Sequence, residues 1–181
     1  MPRTPVHTPD TAPEESKERL GQLTENVGKT LNIFAEMAHA PVVLETYVTM
    51  EQLLASTSSL DEPTRQAIHL TVAQVNDCSY CQAAYTGAAQ KAGHSKEATL
   101  DIRRGEVPDA PALTALLTLT RQVAANKGHV DDATWAAAID AGWSDRQILE
   151  AYAEVVRTIF TNYFNHLVGT ELDLPEVPEL T

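Results

Sequence analysis

The chain has 181 residues, with 13 Lys and Arg against 25 Asp and Glu, a formal net charge of −12 and 43% hydrophobic residues. That length supports one domain with a buried core and no need of a disulfide, while the acidic balance disfavours phosphate backbones and anionic membrane surfaces, so nucleic acid and membrane are set aside as partners. No apolar run is long enough to span a bilayer and the N-terminus has no continuous apolar stretch, which makes cytoplasmic the expected location.

Residues 1–12 are dominated by Pro and Thr and read as a flexible arm, mobile or laid on a neighbouring subunit. Pro13 suits the first turn of a helix over 13–28, where Glu14 and Glu15 favour the positive helix end. Helices are predicted over 31–40 and 41–57, split at Pro41, and over 62–76, where Ala67, Leu70, Val72 and Val75 give a broad apolar face. A further helix starts just after Asn76 and Asp77 and carries both cysteines. Ser95 caps a helix over 96–105, with Glu97 in its first turn. Asp109 then precedes Pro111 and a helix over 112–128, with Leu113, Leu116, Leu117, Thr120 and Val123 on one stripe and Gly128 as its closing glycine. A shorter helix covers 130–142. Ser144 opens the longest, 145–169, in which Ile148, Leu149, Tyr152, Val156, Ile159, Tyr163 and Leu167 keep helical register. No alternating strand pattern is present, so the fold is all-α, with a tail over 175–181 behind a helical domain over 13–174.

Cys78 and Cys81 are the two cysteines of the chain and form a C-x-x-C. At i and i+3 their sulfurs share one face of a helix within reach of a disulfide, and the backbone N–H groups of a helix start favour a thiolate. The spacing serves a thiol that attacks and a second that resolves the product. Two small core residues is the plainer alternative. Zinc is disfavoured, since a structural site wants four ligands and no second C-x-x-C or H-x-x-x-H exists.

The stretch LTVAQVNDCSYCQAAYTGAAQKAGHS resembles the carboxymuconolactone decarboxylase and alkylhydroperoxidase D (AhpD-like) family. AGWSDRQILEAYAEVVRTIFTNYFNHLVGTELD is similar to the C-terminal helix and tail of that family's longer peroxidase-related members, so the likeness runs from about Leu31 to Asp173. The resemblance implies an AhpD-like helical bundle of about seven or eight helices, a homo-oligomer (dimer, trimer or hexamer), and a C-x-x-C that reduces a hydroperoxide or a partner disulfide at the expense of an external thiol reductant. It implies no cofactor. It makes Cys81 the attacking thiol and Cys78 the resolving one, with a Glu twelve residues before Cys78 and a His four after Cys81. This chain has Gln66 and Tyr85 at those positions, and Asp77 where the family often has Gly.

Tyrosine is mostly a neutral hydrogen-bond donor near pH 7 and is poorly suited to take a thiol proton; Gln66 orients a donor but carries no charge. The negative charge of Asp77 opposes a thiolate on Cys78, which favours Cys81 as nucleophile. His69, three residues beyond Gln66 on one helix face, is the remaining candidate base, against the plainer role of a histidine hydrogen-bonded in the bundle. His94 and His129 fall in loops, His166 reads as structural, and Tyr80 as packing. The expected function is a peroxidase-type thiol oxidoreductase, the alternative a redox sensor or non-catalytic binding module on the same scaffold; decarboxylation of a muconolactone has no residue set here.

Overall fold

The computed structural model describes residues 1–178 and Leu180. Nine helices are present among the described residues: α1 Glu14–Val27, α2 Asn32–Met37, α3 Pro41–Thr57, α4 Glu62–Val75, α5 Ser79–Lys91, α6 Lys96–Arg104, α7 Pro111–Ala125, α8 Asp132–Asp140 and α9 Asp145–Val168. There is no strand among them, as the sequence led one to expect; the nine match the nine segments read in chain order and exceed by one or two the seven or eight that the resemblance implies. Local chemistry sets the starts: Asp61, Ser95, Asp131 and Ser144 each accept a backbone N–H two or three residues into the helix, and Ser144 with Gln147 closes a capping box. α7 stops at Ala125, three residues before Gly128, because Lys127 already turns left-handed at φ 56°.

α4 is the centre of the bundle and packs against α5, α6, α7 and α9. Every residue from Arg65 to Ala73 is buried, polar ones included, so this stretch has no solvent face; Arg65, Gln66 and His69 bond to neighbouring side chains, while Thr71 Oγ1 has no partner among the described residues.

α9 inverts the usual reading of an amphipathic helix. Its apolar stripe is largely in solvent, with Leu149, Tyr152, Val156, Tyr163 and Leu167 between 41% and 66% exposed. The face turned inward carries Glu154, Arg157, Thr158, Thr161, Asn162 and Asn165, all buried. Two demands compete for one helix, and the interior takes the polar face because that face completes the network around α4.

The arm at residues 1–12 lies on its own chain. The N–H of Arg3 donates to Val168 O at 2.7 Å and its guanidinium to Leu167 O at 2.8 Å, which satisfies carbonyls left open at the end of α9. His7 N–H reaches Ala35 O and Ala12 is buried. At the other end Asp173 accepts from the Tyr80 hydroxyl at 2.8 Å and from Asn32 N–H at 3.3 Å, so Tyr80 ties down the segment just before the tail as well as packing. Of the tail over 175–181, Glu179 and Thr181 lie outside the described residues. No helix among the described residues is long and apolar enough to cross a membrane.

Candidate active site

The turn between α4 and α5 places both cysteines. Asp77 adopts a left-handed φ of 52°, which accounts for a preference for glycine there; aspartate is among the few residues that tolerate it. Cys78 is the N-cap of α5 and its sulfur accepts the Cys81 N–H at 3.4 Å. The two free thiols lie 2.6 Å apart, each 2% exposed. From α9, Asn165 Nδ2 points at Cys81 Sγ, 3.1 Å away, and more loosely at Cys78 Sγ, 3.8 Å.

A hydrogen bond from Cys81 is the main reason the Cys78 ionisation falls below the ordinary thiol value, outweighing burial and the charge of Asp77. Cys81 is pushed up, by burial first and then by the Cys78 sulfur beside it. The pair titrates as a unit, and once singly ionised it holds its charge on Cys78 and its proton on Cys81. The charge of the exposed Asp77 acts against a thiolate on Cys78, as read from the sequence, and is the smallest of the causes acting there.

Tyr85 is buried, and its oxygen accepts from Arg157 Nη1 at 2.7 Å. Thr161 Oγ1 lies 3.2 Å from the same oxygen and commits its own proton to Thr158 O at 2.9 Å. Arginine only donates, so the Tyr85 proton is the one left to give, either to Thr161 or to a group in the adjoining cavity. Burial chiefly pushes the Tyr85 phenol above its ordinary value, with the Arg157 charge opposing, so it is neutral near pH 7. Arg157 also donates to the Tyr47 hydroxyl at 3.0 Å, lies 5.1 Å and 5.5 Å from the Tyr47 and Tyr85 ring centroids, and pairs with Glu51.

His69 is fully buried, its ring centroid 5.0 Å from that of Tyr85 and its Nε2 2.7 Å from Glu154 Oε2. Burial first, then Arg157, hold its ionisation below the ordinary value. The neutral ring therefore donates Nε2–H to Glu154, leaving Nδ1 buried without a partner. Glu154 also accepts from Arg65 Nε at 2.5 Å. Gln66 does not join this group, for its Nε2 donates to Glu62 Oε1 at 2.6 Å, one turn back along α4. Cys78, Cys81, Tyr85 and His69 are thus brought together and Gln66 is not; the carboxylate that reaches the histidine comes from α9. No hydrogen bond among the described residues joins His69 to either sulfur. His94 bonds Pro63 O at 2.9 Å, while His129 and His166 are exposed.

Tyr47, Glu154, Arg157, Thr161 and Asn165 escaped the sequence reading. A signal existed in α9, where polar residues recur at 154, 157, 158, 161, 162 and 165, yet such a row ordinarily marks a solvated face. A cavity of about 60 Å³ opens on Cys81 and not on Cys78, walled by Phe34, Tyr47, Tyr80, Tyr85 and Thr161. No cluster of three candidate metal ligands exists among the described residues.

This all-helical architecture is shared with known structures. The alkylhydroperoxidase AhpD core of an uncharacterized peroxidase-related protein from Ralstonia eutropha JMP134 aligns with a TM-score of 0.84 at 19% identity, over 98% of each chain. A peroxidase-related protein from Silicibacter sp. TM1040 aligns at 0.79 and 19% identity, over 92% of this chain and 88% of that one. The debrominase Bmp8, in complex with 2,3,4-tribromopyrrole, aligns at 0.80 and 14% identity, over 94% of this chain and 91% of its own. The fold is AhpD-like. In sequence, residues 41–122, which hold both cysteines, match the carboxymuconolactone decarboxylase family. No curated protein sequence matches the chain.

Proposed function

We propose that the protein is a thiol peroxidase in which Cys81 attacks and Cys78 first serves as its base and then resolves the product. One observation carries this reading: two thiols 2.6 Å apart, of which Cys81 and not Cys78 lines the cavity between Phe34, Tyr47 and Tyr85. Cys81 sulfur attacks the terminal oxygen of a hydroperoxide, an S–O bond forms, the O–O bond breaks, and the Cys81 proton passes to the Cys78 thiolate. The departing alkoxide takes the Tyr85 proton, leaving a phenolate beside the Arg157 guanidinium that is restored from solvent. Cys78 sulfur then attacks Cys81 sulfur, an S–S bond forms, and hydroxide leaves with the Cys78 proton as water. Two electrons pass from the dithiol to the peroxide, giving an alcohol, water and a disulfide, which an external dithiol reopens.

Mild hydroperoxide should produce an intramolecular Cys78–Cys81 disulfide, read by mass spectrometry of a tryptic digest, with turnover in the presence of dithiothreitol. Singly blocked cysteines or intermolecular dimers alone would remove the resolving role of Cys78, and a disulfide formed without turnover would leave a redox sensor. Reductive debromination of an aromatic ring is less favoured, despite the aromatic walls, because about 60 Å³ admits a small reacting group and falls far below the roughly 300 Å³ at which whole-ligand pockets begin.

The exposed stripe of α9 supports a closed oligomer, since Leu149, Tyr152, Val156, Tyr163 and Leu167 leave a continuous apolar ridge in water on a single chain. Light scattering should return a multiple of 19.7 kDa at micromolar concentration. A mass of one chain across a dilution series would refute it.

A further inference from the structure

A groove of about 840 Å³ runs along α5 and has no part in the thiol chemistry described so far. Its floor is the run of small residues Ala83, Ala84, Gly87 and Ala88 on α5, and a Cβ added at Gly87 would meet no atom within 4 Å. α6 forms the facing wall and the segment from Leu174 to Pro178 the rim, held by Arg103 Nη1 donating to Pro178 O at 2.7 Å. Leu31 and Ala84 line both the groove and the Cys81 cavity, so the two abut. From position 81 to position 91 α5 advances about 15 Å, and at that far end stand Lys91 and Lys96, both exposed.

The charge of the groove opposes that of the chain. Net charge is −12, yet the lining has Lys91, Lys96 and Arg103 against Glu176 alone. None of the three cations pairs with a carboxylate among the described residues. Arg103 is 4% exposed, and its acceptors, Gln74 Oε1, Gln82 Oε1 and Pro178 O, are all neutral. An apolar trough with a cationic end fits a ligand with an apolar chain and an anionic head.

We propose that this groove binds a long-chain monocarboxylate of the fatty-acid type, its carboxylate at Lys91 and Lys96 and its chain running along Ala88, Gly87 and Ala84 toward Cys81. The proposal rests on the peroxidase reading for its chemistry: the hydroperoxide of such an acid is the substrate, with only its O–O group entering the small cavity. Volume agrees, since the reacting group and the body of the molecule have separate spaces that meet at Ala84.

Decanoate, which has no O–O bond, tests the groove independently of the thiols. In titration calorimetry on the reduced full chain, decanoate should bind about tenfold more tightly than decanol, and Lys91→Gln with Lys96→Gln should erase that difference. Gly87→Leu, which fills the trough from an open position, should weaken both ligands by tenfold or more. Equal affinity for acid and alcohol, no binding of either, or binding indifferent to Gly87→Leu would overturn the proposal. Selective decanoate binding by a protein that consumes no hydroperoxide would keep the groove and refute the peroxidase reading; hydroperoxide consumption without selectivity for the acid would do the reverse.

Discussion

In a single-turnover reaction with a hydroperoxide, Cys78→Ser should form sulfenic acid on Cys81 about 10²–10⁴ times more slowly near neutral pH than the native protein, the usual scale of general-base assistance. The rate should recover as pH rises. Serine keeps the N-cap, whose oxygen still accepts the Cys81 N–H, so the helix start is preserved. What is lost is the neighbouring sulfur proposed to take the Cys81 proton, while the burial that pushes Cys81 above the ordinary thiol range remains. Cys81→Ser should abolish sulfenic acid formation at every pH, because the cavity opens on Cys81. An unshifted pH profile in Cys78→Ser would dismiss the base role. Sulfenic acid on Cys78 in Cys81→Ser would exchange the two roles.

Glu154→Ala should lower unfolding free energy by about 3 kcal/mol, the lower end of what breaking a buried pair costs. Glu154 is fully buried and is the acceptor for His69 Nε2 and Arg65 Nε. Arg65 keeps Glu62 at 3.0 Å, which limits the loss, whereas His69 is left with no partner at all. Since a domain holds only about 5–15 kcal/mol in total, the change is easily read by urea unfolding. Glu154→Gln, which still accepts from His69, should be milder.

The same pair sets how the native protein responds to acid. His69 is held below its ordinary value of 6.5, by burial first, so the unfolded chain gains a proton that the folded one refuses, and stability falls as pH drops below about 6.5. Burial raises Glu154, but His69 and Arg65 outweigh it and hold its ionisation below 4.5, so its contribution is present above that value and is lost on further acidification. Both groups act in one direction. Native stability flat between pH 7 and pH 5 would show that His69 titrates alike in both states.

Fold class and the thiol pair were legible in the sequence because their causes are local. Helix starts are written in Ser95 and Ser144, the start of α3 in Pro41, and the spacing of Cys78 and Cys81 follows from the geometry of one turn, whereas the sequence reading passes over the cap at Asp131 and α8 begins two residues later than the 130 expected from it. Even the turn at Asp77 is a local matter, set by a left-handed φ.

The surroundings of the sulfurs are a matter of tertiary structure. Periodicity marks two faces on α9 but does not say which faces inward, and the apolar one is the face left exposed. That choice brings Glu154, Arg157, Thr161 and Asn165 to residues at 65–85 from some seventy to ninety positions away. It also supplies His69 with a carboxylate that position 66 does not provide, since Gln66 turns to Glu62. Likewise Asp77 is adjacent to Cys78 in sequence and its charge opposes a thiolate there, yet the contact with Cys81 outweighs it and lowers the Cys78 ionisation. Sequence by itself determined that the two sulfurs meet across one helical turn; packing α9 across α4 and α5 decided which side chains surround them.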